Sequence, residues 1–168
     1  MKEFTMKKFN PAHAQAIMEL LADSPFYNTI HMNITDISEG YARLELEVMK
    51  EHHNPFGGIH GGVLATLLDT TTYWALYANA PEDQGYVTLD LLLNDLHSTH
   101  EGLVICEAHA VNEGHHILLS EGSIKTAEGR LLAFATSKCY GSSAIEPVTK
   151  ALHALDPAIT LPPKFVEG

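Results

Sequence analysis

The sequence predicts an α+β domain in which an antiparallel sheet curls around one long, very apolar helix. Three observations carry this. After the turn Asn54-Pro55-Phe56-Gly57-Gly58, the residues Leu64, Leu67, Leu68, Thr71 and Ala75 fall at i, i+3, i+4, i+7 and i+11, one side of a helix that stops near Asn79-Ala80-Pro81. Tyr41 to Val48 alternates, with Ala42, Leu44, Leu46 and Val48 on one face and Arg43, Glu45 and Glu47 on the other. Strand-like segments dominate everything between the helix and Tyr140. Strands grouped after one apolar helix bury its faces most simply by wrapping it.

Taken in order, Asn10-Pro11 reads as an N-cap followed by proline in the first helical position, and Ala14, Ile17, Met18 and Leu21 form the apolar stripe of one helix before Ser24-Pro25. A first strand is expected at about Ile30 to Ile37, with its turn at Glu39-Gly40, and the alternating strand follows. After the long helix come strands over Gly85 to about Leu96, Leu103 to Val111 and Ile117 to Thr126. Ala127-Glu128-Gly129 is a hairpin turn and Leu131 to Tyr140 the last strand. This divides the chain into an N-terminal helical segment (1–29), the wrapped-helix domain (30–141) and a C-terminal appendage (142–168) with one short helix near Val148 to Leu155. A six-stranded sheet leaves edges that invite a second copy, so a dimer is expected.

The 168 residues suffice for one sizeable core, and 45% hydrophobic with 18% charged residues is a globular composition. A net charge of −11 argues against nucleic acid, which needs clustered Lys and Arg. Cys106 and Cys139 stand 33 positions apart with no C-x-x-C, the pattern of two reduced thiols in a cytoplasmic protein. The basic start, Met1 to Lys8, has no apolar run behind it, so no signal peptide is read. No window is long and apolar enough to span a membrane.

The chemistry-bearing stretch is Glu51-His52-His53-Asn54 followed by Gly58-Ile59-His60-Gly61-Gly62-Val63-Leu64-Ala65-Thr66-Leu67-Leu68-Asp69. With Val87-Thr88-Leu89-Asp90-Leu91-Leu92-Leu93-Asn94 and the closing hairpin Gly114 to Tyr140, it resembles the hotdog-fold acyl-CoA thioesterases of the phenylacetate-degradation type over roughly residues 30 to 141. The resemblance implies a hotdog fold and hydrolysis of an acyl thioester, with a small, medium-chain or aromatic acyl group, to acid and thiol. It implies Asp69 as base or nucleophile, the Gly61 N–H as oxyanion donor, Asn54 orienting the substrate carbonyl or its own loop, and Thr88 holding the water. Substrate contacts are expected from His60, Gly62 and Tyr73. No cofactor is expected.

The residue types suit that chemistry. Unpaired N–H groups at a helix start face outward with the macrodipole behind them, and a glycine there lets a substrate oxygen approach. Asp69 lies eight residues beyond Gly61, roughly 12 Å along a helix, too far for both to reach one carbonyl. A site shared between two subunits resolves this, as the family's dimers have it. Each residue also has a plainer reading: Asp69 bonding a buried hydroxyl such as Thr72 or Thr88, Asn54 as a turn residue, His60 as a helix cap, Gly61 and Gly62 serving helix packing, and Thr88 as an ordinary strand residue. Tyr73, Trp74 and Tyr77 line either a pocket or the core.

Neither G-x-G-x-x-G, G-x-x-x-x-G-K-[ST] nor G-x-S-x-G occurs. Eleven histidines include the neighbours His52-His53 and His115-His116, but adjacent strand residues point to opposite faces, and no metal is expected. Where the family often places Lys or Arg for the CoA phosphates stand Asp95-Leu96-His97 and Gly114-His115-His116, with Lys125, Arg130 and Lys138 nearby. A carrier-protein thioester therefore stays open beside acyl-CoA. The competing readings are a non-catalytic acyl-CoA-binding module and a hotdog hydratase or dehydratase, for which only His60 is near enough in sequence.

Overall fold

The computed structural model describes residues 7–168. Residues 1–6, most of the basic start, lie outside the described residues. The described residues begin with a short strand, β1 (Lys7–Phe9), then α1 (Pro11–Ala22) and α2 (Pro25–Thr29). The Asn10 side chain accepts from the Ala12 N–H at 3.0 Å, capping α1 as its sequence predicts. The single N-terminal helix expected from the sequence is corrected to two, because Pro25 sits at the first position of a second helix as readily as it ends the first.

Then come β2 (Met32–Ser38), β3 (Tyr41–Val48), α3 (Gly61–Tyr77), β4 (Gly85–Asp95), β5 (Gly102–Glu113), β6 (Ile117–Thr126) and β7 (Leu131–Ser142). All pairings are antiparallel, and the six strands lie in the order β2-β3-β5-β6-β7-β4. α3 touches every one of them, the hotdog arrangement. Gly40 and Gly129 sit at positive φ in the two predicted hairpin turns, where a β-carbon would be strained.

The core forms between α3 and the concave face of the sheet. Leu64, Leu67, Leu68, Thr71 and Ala75 are all buried, against Ala42, Leu44, Leu46 and Val48 of β3 and Val104, Cys106 and Ala108 of β5. Each fully buried Leu contributes on the order of 1.5–3 kcal/mol. Thr71 and Thr72 enter this core without a polar cost because their hydroxyls donate back to Leu67 O (2.6 Å) and Leu68 O (2.7 Å).

The two ends of the described chain meet. β1 pairs with β8 (Phe165–Glu167), and between β7 and β8 runs α4 (Val148–Leu155). The chain before α4 crosses the start of β4, where Gly85 N–H donates to Ile145 O at 3.1 Å. A β-carbon on Gly85 would collide with the Glu146 carbonyl. Gly85→Ala should therefore cost about 1–3 kcal/mol by overpacking and loosen the C-terminal segment. A lower urea midpoint together with faster proteolysis between residues 143 and 164 would show this; an unchanged midpoint would contradict it.

Candidate active site

The loop before α3 is held by its own polar side chains. Asn54 Oδ1 accepts from Phe56 N–H (2.9 Å) and Gly58 N–H (3.3 Å), while its amide donates to Ile59 O (3.4 Å). His52 is buried, its Nδ1 accepting from Met49 N–H at 3.0 Å and its Nε2 donating to Ile30 O at 2.9 Å. His53 donates to His100 O and His100 to Gly57 O, both at 2.8 Å. These histidines tie loops together. His60 is the N-cap of α3, with Nδ1 accepting from Gly62 N–H at 2.8 Å.

Gly61 opens α3, and its N–H has no acceptor among the described residues. It faces a shallow groove that it shares with Asn54, Ile59, Leu64 and the run Asp95-Leu96-His97-Ser98 following β4. The groove approaches closely: a β-carbon on Gly61 would stand 2.8 Å from Asp95 Oδ2. A carboxylate here suits the positive end of the helix dipole. Gly62 is exposed, and a β-carbon there would meet the capping His60 ring at 2.9 Å from Nδ1.

Asp69 lies on the same helix about two turns later and belongs to a second group. The plainer reading, a bond from its carboxylate to a buried hydroxyl such as Thr72 or Thr88, is not seen within this chain: the Asp69 side chain is exposed, and its carboxylate has neither a hydrogen-bond nor an ion-pair partner among the described residues. The reason is topological. Its face of α3 looks toward β4, and β4 is an edge strand whose Val87, Thr88, Leu89, Asp90 and Leu92 are all exposed. Thr88 pairs across the ladder with Cys139, next to a bulge between Thr88 and Asp90 that re-aims the strand. Burial pushes the Cys139 thiol up to about 11; the Thr88 hydroxyl offsets part of this, and the Asp69 and Asp90 charges add to it. Thr88, Asp69 and Cys139 thus share one neighbourhood.

Aromatic rings floor that neighbourhood. Tyr73 is half-buried, 4.8 Å between centroids from Tyr86 and 5.5 Å from Trp74. Trp74 Nε1 donates to the Tyr27 hydroxyl at 3.2 Å. Burial raises the Tyr27 hydroxyl, its hydrogen bonds with Trp74 and Thr70 offset part of that, and the Asp69 charge adds to it. Tyr27 comes from α2, outside the recognisable motif, and Tyr86 from the start of β4. Sequence reasoning missed both, since neither carries a spacing signal and only the folding of α2 onto α3 brings Tyr27 there. Tyr77 instead lies in a different setting, with its hydroxyl 2.6 Å from His13 Nε2.

The candidate residues thus fall into two groups within one chain: Asn54, His60, Gly61 and Gly62 at the start of α3, and Asp69, Tyr73 and Thr88 midway along it. Eight helical residues separate Gly61 from Asp69, roughly 12 Å. Among the described residues no three His, Cys, Asp or Glu side chains converge as a metal site would require. Lys138, one of the few basic residues near, is tied to Asp90 at 2.8 Å on the surface.

Both cysteines are free and buried, and burial pushes Cys106 up to about 12. A thiol near 11 is only about 10⁻³ thiolate at pH 8, so the native protein should show no fast-reacting thiol toward an aromatic disulfide reagent, and two once unfolded in urea. A rapid native reaction would place Cys139 in a more open setting than the one described.

The family model described as Thioesterase superfamily matches residues 56–133. The 1,4-dihydroxy-2-naphthoyl-CoA hydrolase of Listeria monocytogenes serotype 1/2a (strain 10403S) is 31% identical over 111 residues, covering 66% of this chain and 89% of that protein. The crystal structure of a thioesterase from Haemophilus influenzae superposes with a TM-score of 0.71 at 25% identity, covering 77% of this chain and 90% of that one. The PaaI protein from the phenylacetic acid degradation operon of E. coli superposes with a TM-score of 0.68 at 18% identity over 75% of this chain and 90% of that one, a likeness of fold.

Proposed function

This chain belongs to the thioesterase superfamily and is a thioester hydrolase, and on that premise we propose that it cleaves an acyl-CoA with a small, medium-chain or aromatic acyl group in the cytoplasm, as a homodimer or a dimer of dimers with shared sites. The observation that carries the reading is the exposed, unpartnered carboxylate of Asp69 beside Thr88, set against a free Gly61 N–H that it cannot reach within its own chain. Two such half-sites make one whole site when an Asp69 of one subunit faces a Gly61 of another.

In this mechanism the thioester oxygen accepts from the Gly61 N–H. A donor placed where charge develops is worth about 10²–10³ in rate. Asn54 keeps the Gly61 loop in shape. Asp69 takes a proton from water held with Thr88 as the water attacks the carbonyl carbon, a step worth about 10²–10⁴ for a positioned base; direct attack by the carboxylate is the alternative chemistry. The carbonyl–sulfur bond then breaks and the proton held on Asp69 passes to the leaving sulfur, giving acid and thiol and restoring the carboxylate. Tyr73 with Trp74, Tyr86 and Tyr27 offers the acyl group an aromatic wall. The uncovered apolar side chains of edge strand β4, Val87, Leu89 and Leu92, support pairing with a second copy. Two free buried thiols fit a reducing compartment.

A panel of acetyl-, butyryl-, octanoyl-, phenylacetyl- and benzoyl-CoA with free-thiol detection tests this, with one acyl-carrier thioester alongside. Turnover of at least one CoA ester is expected. Saturable binding without turnover would favour a non-catalytic acyl-CoA module, and turnover of the carrier thioester alone would move the substrate off CoA.

A further inference from the structure

At the far end of α3 from Gly61 lies a half-open cavity of about 400 Å³, lined mainly by residues from 81–84 and the segment 147–164. Its wall includes Tyr77, eight residues beyond Asp69 and so roughly 12 Å farther along the helix. None of Asn54, Gly61, Asp69 and Thr88 lines it. The C-terminal segment that closes it lies outside the 56–133 family match.

The cavity holds a buried lysine with no ion-pair partner among the described residues. Lys164 is 4% exposed. Its Nζ donates to Ala80 O at 2.6 Å and lies 4.1 Å from the centroid of the Tyr77 ring. Among the described residues no carboxylate forms an ion pair with it. An ammonium has three N–H donors; the Ala80 carbonyl takes one, and the rings of Tyr77 and of Phe165 (5.3 Å to its centroid) face the others, so its partners are neutral and no carboxylate pairs with it. A buried lysine without an ion-pair partner is rare, because neutral partners compensate only part of the desolvation of its charge.

A second feature of the same cavity also favours an anion. α4 starts there, with Pro147, Val148 and Thr149 in the wall and no side chain capping the helix. The Val148 and Thr149 N–H groups have no acceptor among the described residues. A helix start with free N–H groups attracts negative charge. His13 is already used, bridging Tyr77 OH (2.6 Å) and Pro162 O (2.7 Å), and it makes the wall rigid. Glu82 also lines the cavity but is exposed. Its charge disfavours a dianion more than a monoanion, and Val148, Ile159 and Leu161 make much of the remaining lining apolar.

We propose that this cavity is a second ligand site, for a small monocarboxylate held by Lys164 Nζ and the start of α4, with its apolar body against Val148, Ile159 and Leu161. Such a ligand has two sources: the acid that a thioester hydrolase releases, or an unrelated cellular monocarboxylate.

Titration calorimetry of the full chain with sodium butyrate, sodium phenylacetate and inorganic phosphate tests this, with wild type, Lys164→Met, Lys164→Arg, Thr160→Trp and Asp69→Asn compared. Saturable binding of at least one carboxylate with a Kd of about 1 mM or tighter is expected, weakened at least about tenfold by Lys164→Met, retained by Lys164→Arg and unchanged within about twofold by Asp69→Asn. Thr160 is exposed on the rim, so Thr160→Trp fills the cavity without touching the core and should also abolish binding. It decides the matter if circular dichroism shows Lys164→Met unfolded. A match between the tighter-binding acid and the product of the best acyl-CoA substrate identifies the ligand as the enzyme's own product; a mismatch identifies a separate acid. Either outcome leaves the site standing. Absence of saturable binding to about 20 mM overturns it, as does loss of binding in Asp69→Asn with Lys164→Met unaffected, or phosphate binding as tightly as the carboxylates.

Discussion

Asp69→Asn is expected to lower kcat by about 10²–10⁴-fold with little change in KM, because it removes a base that acts in the transition state and leaves ground-state contacts in place. The structure makes this variant unusually clean. The Asp69 carboxylate is exposed and makes no hydrogen bond or ion pair among the described residues, so the substitution breaks no internal side-chain contact and should leave the melting temperature within a degree or two. A fall in activity cannot then be charged to unfolding. Single-turnover measurement with the best acyl-CoA would separate chemistry from product release. Near-normal kcat would remove Asp69 from the reaction and leave the free Gly61 N–H without its counterpart.

Gly61→Ala is expected to lower kcat by about 10²–10³-fold, the value of one oxyanion donor. Alanine favours a helix over glycine by about 1 kcal/mol, so the start of α3 is not weakened. The added methyl would stand 2.8 Å from Asp95 Oδ2, the far end of an exposed side chain that can swing away. The fold should therefore survive while the groove at the Gly61 N–H is filled. Mixing the two inactive variants tests the shared site itself. Refolded together, Asp69→Asn and Gly61→Ala chains give about half hybrid dimers, each with one intact and one doubly altered site, so roughly a quarter of wild-type activity should return. Verified hybrids without recovered activity would show that each chain works alone, and the separation of the two groups along α3 would then need another explanation.

The sequence by itself determined the frame. The strand β3 lies at Tyr41–Val48 and β6 at Ile117–Thr126, the bounds that alternation and turn residues predict, and α4 spans Val148–Leu155. The stripe Leu64, Leu67, Leu68, Thr71 and Ala75 is the buried side of α3. These features were legible because a half-buried strand or helix writes its periodicity into neighbouring residues. The motif around Asn54, His60, Gly61 and Asp69 was legible for a similar reason, since its members lie within 16 positions of one another.

Only the tertiary structure decided what depends on contacts distant in sequence. Sheet order places β4 at an edge, and that leaves Asp69 open rather than bonded to a buried hydroxyl. Folding of α2 onto α3 brings Tyr27 beside Trp74, 47 residues away. The chain after β7 returns to pair β8 with β1, and it seats Lys164 against Ala80 and Tyr77. A lone lysine between Pro163 and Phe165 has no local pattern to mark it. Its environment comes from residues more than 80 positions earlier, and short-range periodicity carries no record of such contacts.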